Sequence, residues 1–78
     1  MELGVNGMDK EYEYDLFEKL PDGKVLWRMV VTGRDKSLEA LRRLAEKSNS
    51  EFFAMYVPTK EIIATVKSTG GRVQLSQT

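Results

Sequence analysis

The chain has 78 residues, 41% of them hydrophobic and 31% charged, with a formal net charge of zero and neither cysteine nor histidine. A chain this short holds one core, and domains of this size bury only about 60% of their unfolded surface, so they lean on disulfides, metals or association. The missing residue types exclude disulfides, thiolate and imidazole metal sites and histidine-dependent hydrolase triads, which leaves association as the open support.

Residues 1–10 hold two glycines and an asparagine without periodicity and read as a flexible leader before a single domain over 11–67. No basic start with an apolar stretch marks a signal peptide, and no run approaches the roughly 18 apolar residues of a membrane span. The expected setting is the cytoplasm, away from membranes.

Two strands come first, Tyr12 to Leu20 and Val25 to Thr32. Between them, Leu20-Pro21-Asp22-Gly23-Lys24 is a turn: proline presets φ, aspartate bonds to nearby backbone, and glycine takes φ > 0 without a Cβ clash. Opposing Leu20 to Val25 sets Leu16 against Met29 and Tyr14 against Val31, one consistent apolar face. Slipping by one, with Leu20 against Lys24, mixes Trp27 and Met29 with Glu13 and Asp15. The first register is the expected one, and it leaves Phe17, Leu26 and Val30 beside Arg28 on the other face.

A helix follows over about Leu38 to Ser48. Leu38, Leu41, Leu44 and Ala45 form one stripe, Ser37 is placed to cap the first turn, and Asn49 to end the helix in a left-handed conformation. Glu51 to Val57 and Glu61 to Lys67 read as a second hairpin around Pro58-Thr59-Lys60. Lys60 falls where Gly23 fell in the first turn. Should it adopt φ > 0, Lys60→Gly stabilises the fold. The two proline-headed hairpins suggest a pseudo-repeat, 37 residues apart. Both parities of this hairpin are apolar, with Phe53, Met55 and Val57 against Phe52, Ala54 and Tyr56. Residues 68–78, with Gly70-Gly71, read as a flexible tail in which Val73 and Leu75 are compatible with a short extra strand.

The expected fold is α+β in the order β-β-α-β-β, with one helix on one face of a four-stranded, mainly antiparallel sheet ordered 2-1-3-4. Strands apolar on both sides are usually covered on both sides. Four strands offer roughly 400 Å² per face, and a helix of about twelve residues shades roughly 170 Å². The strand surface exceeds its cover. This points to a homodimer through the sheet, with Phe17, Leu26, Arg28, Val30, Phe52, Tyr56 and Ile63 as the candidate interaction face.

Residues 1–23 carry seven acids against Lys10 and Lys19, and residues 24–78 carry ten cations against five acids. These blocks suit neighbours pairing within one fold. Glu11, Glu13 and Asp15 alternate onto one strand face, as oxygen ligands would, but lack the loop of a calcium site and read as a solvated face. Phe17, Arg28, Phe52 and Tyr56 are the residue types with which open sheets stack single-stranded bases, although net charge zero is low for a nucleic-acid domain. Trp27 at mid-strand reads first as a core anchor. No phosphate loop, cofactor motif or catalytic constellation emerges, so the expectation is a non-enzymatic module.

The stretch Tyr14-Asp15-Leu16-Phe17-Glu18-Lys19-Leu20-Pro21-Asp22-Gly23-Lys24-Val25-Leu26-Trp27-Arg28 resembles the opening of some short, uncharacterised bacterial proteins. Glu51-Phe52-Phe53-Ala54-Met55 and Pro58-Thr59-Lys60-Glu61 are similar to their second half. The resemblance implies a stand-alone cytoplasmic domain and brings no activity or site residues.

Overall fold

The computed structural model describes residues 12–69 and 72–77, so the leader expected over 1–10 lies outside the described residues. Strands β1 (Glu13–Lys19) and β2 (Val25–Thr32) precede helix α1 (Arg34–Lys47), and β3 (Glu51–Tyr56), β4 (Glu61–Thr69) and β5 (Arg72–Gln77) follow. The sheet order is β2-β1-β3-β4-β5, with antiparallel neighbours throughout. The α+β class and the order of the first four strands match expectation. The strand count does not: residues 72–77, read as tail, pair with β4 as a fifth strand. Val66 faces Leu75 and Ser68 faces Val73, and the two apolar side chains pack against the core. Only these two apolar positions, on a segment otherwise polar, marked the strand in the sequence.

Both registers weighed for the first hairpin occur, one at each end. Gly23 N–H donates to the Leu20 carbonyl at 2.9 Å, Leu20 N–H to the Lys24 carbonyl at 2.8 Å, and Gly23 sits at φ 94°. This three-residue loop sets Lys19 against Val25 and Phe17 against Trp27. Further along, Leu16 faces Met29 and Tyr14 faces Val31, as the apolar face demands. A bulge at Arg28 absorbs the one-residue difference. Trp27 therefore sides with Phe17 rather than with Leu16.

The second hairpin repeats the device. Lys60 lies at φ 63°, its N–H donating to the Tyr56 carbonyl at 2.6 Å, and the register shifts by one between Ala54 and Met55, leaving Ile63 without an opposite. A left-handed lysine costs about 1–2 kcal/mol. Glycine removes that strain and returns part of it as unfolded-state entropy. Lys60→Gly is thus expected to stabilise the protein by roughly 0.5–1 kcal/mol, read as a higher urea midpoint with an unchanged slope. An equal or lower midpoint contradicts this account of the turn.

Helix α1 begins one turn earlier than its apolar stripe suggests. Gly33, at φ 98°, turns the chain out of β2, and its carbonyl accepts from Ser37 N–H at 3.0 Å. Ser37 is therefore not the cap but a buried residue inside the helix, its Oγ donating to the Arg34 carbonyl at 2.6 Å. The polar first turn, Arg34-Asp35-Lys36, carries no periodicity that would reveal it. At the other end the chain leaves through Ser48 in extended conformation, not through a left-handed Asn49.

The core is a sandwich of α1 on the sheet. Leu41 and Ala45 bury against Leu16, Phe52, Ala54, Ala64 and Val66, with Leu38 and Leu44 packed at the margins. Alanines 45, 54 and 64 let helix and sheet approach closely. A cleft of about 250 Å³ opens on each flank of α1. One is lined by Met29, Ala40, Arg43, Leu44 and Lys47, and the other by Asp35, Leu38, Glu39, Arg42, Leu75 and Gln77. The helix is narrower than the sheet beneath it.

Candidate functional site: the sheet face opposite the helix

Directly opposed residues in a sheet share a face, so the registers assign every strand side chain. The row Leu26, Glu18, Phe52, Val66, Leu75 and the row Met29, Leu16, Ala54, Ala64, Gln77 lie under the helix. The open face carries the row Trp27, Phe17, Phe53, Thr65, Ser76 and the row Val30, Asp15, Met55, Ile62.

Aromatic and aliphatic carbon dominate the open face from β2 to the start of β4. Trp27 is 57% exposed, Val25 49%, Ile62 48% and Val30 46%. Phe17 and Phe53 stack across neighbouring strands, with ring centroids 5.1 Å apart and planes 19° from parallel. Trp27 Nε1 donates to Asp15 Oδ1 at 3.1 Å, holding the indole over β1 and giving the carboxylate a partner within the apolar area. The β5 side is different in kind, since Arg72, Gln74 and Ser76 are its open-face residues.

The seven residues proposed from sequence do not form one surface. Phe17 and Val30 are on the open face. Leu26 opposes Glu18 on the helix side, and Phe52 is buried beneath α1. Ile63, at the second bulge, packs against the core. Arg28, displaced by the first bulge, reaches Glu18 at 3.4 Å, and Glu18, only 7% exposed, also accepts from Ser48 Oγ at 3.5 Å. Tyr56 joins an aromatic group, 5.3 Å from Tyr14 and 5.6 Å from Tyr12 between ring centroids. The aromatic and basic residues considered for base stacking are thus split between opposite sides of the sheet. Sequence reasoning missed Trp27, Val25, Phe53, Met55 and Ile62 because the bulges, invisible to simple alternation, decide which parity faces out. The apolar second parity of β3 was the signal available.

Tyr56 holds its proton above the ordinary value of 10.0, first through desolvation and then through the phenols of Tyr12 and Tyr14. A folded-state pKa raised above that of the unfolded chain contributes stability that is present below about pH 10 and lost as pH climbs through the raised value. Tyr56→Phe is expected to flatten that alkaline decline. Thermal midpoints of the two proteins that fall in parallel between about pH 9 and 11 would argue against it.

Among the described residues no group of three or more acidic side chains is placed to hold a metal ion, and no helix is long and apolar enough to cross a membrane. Of the three carboxylates that alternate along the first strand, Glu11 lies outside the described residues, Glu13 is exposed, and Asp15 bonds to Trp27. Comparison with protein-family models, curated proteins and solved structures returns no match.

Proposed function

We propose that the protein is a non-enzymatic interaction module that works as a homodimer, two copies joined through their open sheet faces. The observation that carries this reading is the apolar area of Val25, Trp27, Val30, Phe17, Phe53, Met55 and Ile62 around the Trp27-bonded Asp15, which no element of the chain's described residues covers. Five strands about 4.8 Å apart and about 20 Å long present a footprint near 480 Å². Two such faces together approach the roughly 1,000 Å² that a specific interface needs. Water against the carbon on the β2 side of this footprint is costly, at about 25 cal/mol per Å².

Aromatic platforms of this kind also suit single-stranded nucleic acid, but there cations flank the rings and track the phosphates. Here Glu13 and Asp15 share the face with Lys19, Lys67 and Arg72, so its charge is mixed rather than basic, and Arg28 is engaged by Glu18 on the other side. The face favours protein over polyanion.

Light scattering at low micromolar concentration is expected to give about twice the 8.9 kDa chain mass. A particle of 8.9 kDa at every concentration, or salt-sensitive capture of a labelled oligonucleotide by the monomer, would replace this reading.

A further inference from the structure

The open face is polar in two senses, and together they fix how a second copy sits on it. Along the strands, charge separates. Glu13 marks one end of the face, and Lys19, Lys67 and Arg72 gather at the other, with Glu51 between them. Across the strands, carbon separates from polar groups, the β2 side being apolar and the β5 side hydrophilic.

Two sheets packed face to face can be related by a twofold axis in the plane between them, running either along the strands or across them. An axis along the strands, over the central β3, lays like ends together, with Lys19 facing the other copy's Lys67, and turns the apolar β2 side toward the hydrophilic β5 side. An axis across the strands does the opposite on both counts. It reverses strand direction, so the acidic end meets the basic end, and it keeps β2 over β2 and β5 over β5. We infer that the dimer uses the axis across the strands, centred on Leu16 of β1, with Glu13 of each copy opposite Lys19 of the other. This rests on the self-association proposed above.

The spacing supports the pairing. Glu13 and Lys19 lie three residues to either side of Leu16, about 10 Å each way at 3.3 Å per residue. Reversal about that point superimposes one on the other. Packed sheets stand about 10 Å apart, a gap that a glutamate and a lysine reaching toward each other span. Between the two symmetric ion pairs, the Trp27–Phe17–Phe53 row of one copy meets the Val30–Met55–Ile62 row of the other. Asp15, already bonded to Trp27, enters that centre with a hydrogen-bond partner. The interface closes on itself and leaves no end free to propagate.

Charge exchange tests the orientation. Glu13 and Lys19 are both exposed, so Glu13→Lys and Lys19→Glu leave the fold intact by circular dichroism. Each single exchange converts two attractions into two repulsions and is expected to raise the dimer Kd roughly tenfold at low salt. The double exchange, Glu13→Lys with Lys19→Glu, is expected to restore the original Kd. A wild-type dimer whose singles are unaffected, or whose double exchange is no tighter than the singles, overturns the orientation and leaves self-association standing. A wild-type protein that never dimerises removes both.

Discussion

Phe52→Ala is expected to bring the protein to the edge of unfolding at room temperature. Phe52 is 1% exposed, the largest of the fully buried side chains, and sits between Glu18 and Val66 in the row beneath α1. Removing a buried phenylalanine typically costs about 3–5 kcal/mol, transfer and cavity together. At roughly 0.05–0.15 kcal/mol per residue the whole chain holds only about 4–12 kcal/mol. Its neighbour gives the contrast. Phe53 lies half-buried on the open face, and Phe53→Ala is expected to cost under about 2 kcal/mol. Urea unfolding of the two variants, at a concentration where both are monomeric, checks this. Equal losses would mean that the face assignment of β3 is wrong.

Trp27→Ala is expected to separate association from folding. In the isolated chain the indole is more than half exposed, and its bond to Asp15 lies at the surface, so the fold loses little. Across a twofold interface each substitution acts twice. Loss of about 1–2 kcal/mol of burial per copy amounts to about 2–4 kcal/mol of association, raising Kd roughly 30- to 1,000-fold. Sedimentation velocity is expected to find a folded monomer where the unmodified protein is dimeric. A variant that unfolds instead would place Trp27 in the core, where its mid-strand position first suggested it.

Much of the architecture was legible from local chemistry. The hairpin at Pro21-Asp22-Gly23 and the apolar stripe Leu38, Leu41, Leu44, Ala45 each rest on neighbours in sequence, and the strand order follows from connecting them around one helix. What escaped was whatever depends on a conflict between two such signals. The turn at Gly23 demands one register and the Leu16–Met29 face demands another. Only the bulge at Arg28 reconciles them, and it moves Trp27 to the open side and Arg28 toward Glu18. Likewise Phe52 and Phe53 are equally apolar, and nothing in β3 by itself says which of them the helix covers. Glu18 shares the helix side with Leu16, and its partner Arg28 was hidden because the expected register put Arg28 on the other face. The fifth strand was missed for another reason. It contributes two side chains to the core, too few to stand out in a polar segment.

Self-association, as proposed, withdraws the open face from water, and Trp27, the chain's only tryptophan, lies within it. Its fluorescence reports that burial without a label. Blue-shifted emission from a desolvated indole is expected at micromolar concentration, moving to the red of water-exposed tryptophan on dilution. Red emission that stays the same at every concentration would contradict it.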